Sequence, residues 1–98
     1  MIVVTFTYKS TPGNRTKVIE NARPCIEATR KEKGCIRYEL FASTEDDVTL
    51  QFIEEWTDLD CLRAHLKTPH VAALRAGQAN YVEQGEIFKI FEAKEISL

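Results

Sequence analysis

The chain has 98 residues, of which 44% are hydrophobic and 29% are charged, and its formal net charge is −2. This length and composition predict one globular domain over residues 1–98. Because the net charge is slightly negative and Lys and Arg do not cluster, we expect neither nucleic acid nor an anionic membrane as a partner. No apolar run is long enough to span a membrane, and the first residues lack the basic start of a signal peptide.

The first third of the chain reads as a strand followed by a helix. Residues 2–9 are rich in β-branched and aromatic side chains, which is typical of a strand. Asn14 is the expected N-cap of a helix over residues 15–33, where apolar residues recur with helical period. Pro24 lacks the N–H that a helix interior uses, so it predicts a kink or a break, and Gly34 predicts the helix end.

The middle of the chain predicts a β-hairpin. Residues 35–42 and 48–56 alternate between apolar and polar side chains, and a polar loop joins them. Phe41 and Ile53 interrupt this alternation by placing apolar side chains on the opposite face. The predicted common face holds Ile36, Tyr38 and Leu40 from the first strand, and Val48, Leu50, Phe52, Glu54 and Trp56 from the second.

Two helix-start signals follow the hairpin. Thr57 is the expected N-cap of a short helix that carries His65, and Thr68, followed by Pro69, begins a second helix with His70 in its first turn. The second helix ends near residue 79, and residues 84–93 form a last strand. Trp56 and both histidines of the chain should therefore meet at one strand-to-helix corner.

The order strand, helix, strand, strand, helix pair, strand predicts an α+β, ferredoxin-like split βαβ fold, with an antiparallel sheet and helices on one face. Residues 84–93 carry apolar side chains on both faces, and Phe41 and Ile53 add to the face that the helices leave bare. A second copy packed sheet against sheet would bury this surface, so we expect a homodimer.

The corner supplies the candidate catalytic residues. His70 lies in the first turn of a helix, which favours a neutral imidazole able to accept a proton, although an exposed histidine without a role is the alternative. His65 borders the buried face of its helix and is either a catalytic group or a hydrogen-bonded core residue. Trp56 either forms a pocket wall or only packs in the core. Five further polar residues could either line a pocket or lie on a solvated face, namely Tyr38, Arg37, Arg75, Asn80 and Tyr81.

The sequence offers no clear metal or cofactor site. His65 and His70 lie five positions apart across a proline-initiated helix start, and no carboxylate or cysteine obviously converges with them. Glycine-rich phosphate fingerprints and a serine nucleophile elbow are also missing. The three cysteines, Cys25, Cys35 and Cys61, lack CxxC spacing and are typical of reduced core thiols in a cytoplasmic protein.

Several segments resemble the antibiotic biosynthesis monooxygenase superfamily, and most closely its quinol-monooxygenase-like members. The most specific are Gly34-Cys35 with Tyr38, the strand end Glu55-Trp56, and the run from His65 to His70, HLKTPH. The resemblance extends over essentially the whole chain. It implies a dimeric α+β barrel with a pocket between the sheet and the helices of each subunit.

For enzymatic members, the resemblance implies oxygenation of quinol-like or polycyclic dihydroxy-aromatic substrates by O₂ without flavin, metal or haem. In that mechanism His70 or His65 is the candidate base, Trp56 a wall, and Tyr38, Arg75 or Tyr81 a substrate-binding group. The haem-degrading branch carries an asparagine and a histidine where this chain has Phe6 and Arg75, which disfavours haem degradation. A non-catalytic small-molecule-binding barrel and an isomerase of the same superfamily remain alternatives.

Overall fold

The computed structural model describes residues 1–98 and contains a four-stranded antiparallel sheet with the strand order β2-β3-β1-β4. The elements are β1 (Ile2–Lys9), α1 (Arg15–Thr29), β2 (Cys35–Ala42), β3 (Thr49–Trp56), α2 (Leu59–Leu66), α3 (Pro69–Gln78) and β4 (Ile87–Glu92). This order, with the first and third strands in the centre, confirms the predicted α+β, ferredoxin-like class. No helix is long and apolar enough to cross a membrane.

The core lies between one face of the sheet and the three helices. The alternation of β1 and β3 directs every second side chain toward the helices, and burying each large apolar side chain stabilises the fold by about 1.5–3 kcal/mol. Val18 and Ala22 of α1 are buried as the helical period predicts. The other large buried side chains are Ile2, Val4, Tyr8, Tyr38, Leu50, Phe52, Trp56, Leu62, Val71 and Leu74.

Helix α1 differs from its predicted form at three points. It runs through Pro24 without a break, because Pro24 lies on the exposed side, where solvent can satisfy the carbonyl left without a donor. It ends at Thr29 rather than residue 33, and residues 30–34 form a turn in which Gly34 has a φ of 81°. Asn14 occupies the N-cap position, but its side-chain amide donates to the Thr11 hydroxyl instead of capping the helix.

The two helix starts at the corner are confirmed, with one change of cap. Asp58, not Thr57, caps α2 by accepting a hydrogen bond of 2.9 Å from the Cys61 backbone N–H. An aspartate carboxylate one position later in the chain therefore replaces the hydroxyl that the sequence suggested. Thr68 caps α3 through the Val71 N–H, with Pro69 in the first helical position as predicted.

The sheet has a β-bulge near the start of β2. Cys35 pairs with Trp56 and Arg37 pairs with Glu55, so Ile36 is the extra residue. Ile36 is consequently 53% exposed and does not share a face with Tyr38, contrary to the predicted alternation. Strand β4 is shorter than predicted, and its apolar side chains, which lie on both faces, are each about half exposed.

Candidate functional site

The strand-to-helix corner brings both histidines to one carboxylate. Nδ1 of His65 and Nε2 of His70 each lie 2.7 Å from the same oxygen, Oε2 of Glu32. Glu32 belongs to the turn after α1, which folds back beneath the corner because α1 ends at Thr29. The expectation that no carboxylate converges with the histidines was therefore wrong, and no local pattern in the sequence indicates Glu32.

His65 is a core residue. Its imidazole is 2% exposed and lies against the Trp56 ring, with 4.8 Å between ring centroids, and edge-on to Tyr38 at 5.3 Å. Burial lowers the pKa of His65 and outweighs the opposing hydrogen bond and charge of Glu32. A neutral, hydrogen-bonded ring follows, whereas the His70 side chain remains 23% exposed.

Trp56 and Tyr38 pack in the core rather than line an open pocket. Trp56 is fully buried, and its indole N–H donates to Oε1 of Glu54 over 3.0 Å. The Tyr38 hydroxyl lies 3.8 Å from the sulfur of Cys25, and burial raises the pKa of Tyr38 above its usual range. The structure therefore shows the core-packing alternative for Trp56, whereas Tyr38 is buried in the core and follows neither of its two alternatives, pocket lining or a solvated face.

A cavity of about 620 Å³ lies between the sheet, α3 and the segment that leads into β4. This volume is within the range of small-molecule sites. Its apolar wall consists of Phe6, Leu66, Val71, Leu74, Ala79, Val82 and Phe88. A second cavity of about 450 Å³ between α1 and β2 contains charged groups, but none of its charged side chains is buried.

Three polar side chains of the larger cavity distinguish it. Glu54 is buried, and this burial raises the pKa of its carboxyl to about 7 against the opposing Trp56 hydrogen bond, with the charge of Glu32 adding to the rise. Gln78 is 8% exposed, and its side-chain oxygen has no hydrogen-bond partner. Arg75 lies one helical turn away on α3 and supplies a cation. A ligand with hydroxyl donors and a developing negative charge would complement these three groups.

The predicted site residues thus do not meet at a single place. Arg75 lines the cavity, whereas His65 and His70 converge on Glu32 and do not line it. Tyr81 lies outside the cavity, with the Lys17 ammonium 5.1 Å from its ring centroid. Glu54 was visible in the sequence only as an acidic residue on the apolar face of its strand.

Comparisons with known proteins agree with this architecture. The chain is 29% identical over 83 residues to YgiN of Escherichia coli (strain K12), named a probable quinol monooxygenase, and this match covers 74% of the chain and 80% of YgiN. The uncharacterized protein sll1783 of Synechocystis is 32% identical over 69 residues, which is 70% of this chain but only 47% of that protein.

A solved structure and a family model extend the comparison. A crystal structure described as an antibiotic biosynthesis monooxygenase superposes with a TM-score of 0.88 at 28% identity, covering 97% of this chain and 100% of that chain. Residues 1–77 match the family model described as antibiotic biosynthesis monooxygenase, which confirms the resemblance seen in the sequence. The chain therefore belongs to the antibiotic biosynthesis monooxygenase family.

Proposed function

We propose that this protein is a cofactor-independent monooxygenase that uses O₂ to oxidise a quinol-like or polycyclic dihydroxy-aromatic molecule. The observation that carries the proposal is the buried Glu54 carboxyl, which has a pKa of about 7 and faces an apolar cavity. Family membership and the similarity to a probable quinol monooxygenase support this class of reaction.

The first step is proton transfer from the substrate. Glu54 accepts a phenolic proton, since a base with a pKa near the working pH is partly ionised and still basic enough to accept it. Arg75 stabilises the resulting phenolate, and the Gln78 oxygen accepts a hydrogen bond from the remaining hydroxyl. The apolar wall holds the ring and excludes water.

The substrate anion itself then reacts with O₂. The anion gives one electron to O₂, and the two radicals combine at a ring carbon to form a peroxide. The proton held by Glu54 returns to this peroxide and gives a hydroperoxide. The hydroperoxide then loses its outer oxygen and the ring hydrogen as part of one water molecule, which leaves a carbonyl group on the ring. One oxygen atom enters the product and the other leaves as water, so no external reductant is needed.

The two histidines have an indirect part in this proposal. His65 packs beneath Trp56, and Trp56 donates to Glu54, so the corner orients the carboxyl that faces the cavity. The assignment of His70 or His65 as the base stays a prediction. If a histidine is the base, His70→Ala should lose about a hundred- to ten-thousand-fold in rate. If Glu54 is the base, Glu54→Gln should show that loss of rate instead.

The assembly and the compartment are part of the proposal. We propose a homodimer formed through the sheet face that the helices leave open, because Phe41, Ile87 and Phe91 are exposed on that face. All three cysteines are free, which supports a reducing, cytoplasmic location.

Oxygen consumption against a panel of quinols and hydroxynaphthoquinones tests the function. Glu54→Gln should reduce kcat/KM by about two to four orders of magnitude on any substrate that the wild type oxidises. Glu45→Gln makes the same charge change at an exposed loop position and should leave the rate unchanged. Saturable quenching of Trp56 fluorescence by ligands that are never oxidised would replace this proposal by the non-catalytic binding module.

A further inference from the structure

The geometry points to a binding site for a divalent first-row transition cation, with Zn²⁺ foremost, formed by Glu32, His65 and His70. One ligand atom from each of these side chains lies within 4.8 Å of the other two. They come from three separate segments, the turn after α1, helix α2 and helix α3. The site is distinct from the cavity and goes beyond the function proposed for it.

The present spacing is close to that of a metal centre. His65 Nδ1 and His70 Nε2 are each 2.7 Å from Glu32 Oε2. In tetrahedral geometry, ligands bound at about 2.0–2.2 Å lie about 3.3 Å apart. The two nitrogens lie within 4.8 Å of each other and need that same separation, whereas Oε2 of Glu32 needs to move about 0.6 Å away from each of them. Glu32 can supply this movement because it lies in a turn rather than within a helix.

The donor set selects the class of cation. Two imidazoles and one carboxylate suit zinc and its first-row neighbours, whereas Mg²⁺ and Ca²⁺ prefer shells made entirely of oxygen ligands. Three protein ligands leave a position for water, and the 23% exposed His70 side chain gives solvent access to that side.

The protein also fixes one ligand in advance. The His65 ring is held between Trp56 and Tyr38, at centroid distances of 4.8 and 5.3 Å, so its orientation is set before a cation arrives. An occupied site would join the turn after α1 to the α2–α3 corner. The bound cation would therefore stabilise the packing of these segments next to Trp56, and it would not contact the cavity.

Titration of metal-free protein with Co²⁺, followed by displacement with Zn²⁺, tests this site. The chain has only two histidines, so imidazole ligation within one chain can come only from His65 and His70. We expect one equivalent of Co²⁺ per chain, visible-region bands of a site with nitrogen and oxygen ligands, and no thiolate-to-cobalt charge-transfer band. X-ray absorption of the wild-type zinc complex should show two imidazoles, a result that depends on no variant.

Two substitutions and one matched control sharpen the test. His70→Ala and Glu32→Gln should each weaken Co²⁺ binding about 100-fold or more, since even outer partners of metal ligands are worth 10–100-fold. Glu27→Gln makes the same charge change at an exposed position on α1 and should bind as the wild type does. Absence of binding to the wild type, a thiolate band, or binding that survives His70→Ala would overturn the proposal.

Discussion

The buried Glu54 carboxyl should make the stability of this protein depend on pH in a predictable direction. The ordinary pKa of this carboxyl is 4.5, and in the folded protein it is raised to about 7. The folded state therefore binds the proton more tightly than the unfolded state does. The stability that this protonated group contributes is fully present below pH 4.5 and is lost as the pH rises through 7.

The magnitude follows from the two pKa values. Their difference of about 2.5 corresponds to about 3 kcal/mol, because a pKa difference of one is worth about 1.4 kcal/mol. Glu54→Gln removes this ionisation but keeps an oxygen that can accept the Trp56 N–H. The variant should therefore gain about 3 kcal/mol over the wild type between pH 4.5 and pH 8.

Urea unfolding measured by the fluorescence of Trp56, the single tryptophan, provides the assay. Both proteins are compared at one fixed chain concentration, so that any association affects them equally. The difference in unfolding free energy between variant and wild type isolates Glu54, because every other ionisable group is present in both proteins. A difference that stays constant from pH 4.5 to pH 8 would refute the assignment of a raised pKa to Glu54.

Four other substitutions test three separate parts of the structure. Trp56→Phe removes the N–H that lowers the pKa of Glu54, so the acidic limb of the kcat/KM profile should move to higher pH. Asp58→Ala removes the α2 cap and should cost about 1 kcal/mol in chemical unfolding, and Thr57→Ala should cost less. Phe41→Glu places a charge on the exposed sheet face and should shift sedimentation of the proposed dimer toward the 11.2 kDa monomer.

Local signals in the sequence determined the elements and their order. The β-branched and aromatic residues at positions 2–9 and the alternation along 49–56 are local signals of a strand, and the Thr68-Pro69 helix start depends on neighbouring residues alone. Once the order of strands and helices is known, few topologies remain, so the ferredoxin-like sheet could also be predicted. Two of the errors in these elements, at the end of α1 and at Ile36, arose where a turn or a bulge is set by distant packing.

The candidate site depended on tertiary structure. Glu32 meets His65 and His70 across 33 and 38 positions of the chain, and no local pattern encodes that approach. Glu54 was visible as an acid on an apolar face, but its raised pKa arises from burial among groups distant in sequence. Sequence period specifies which way a side chain faces. Only the packing of separate segments determines what that side chain contacts and how strongly its charge is desolvated.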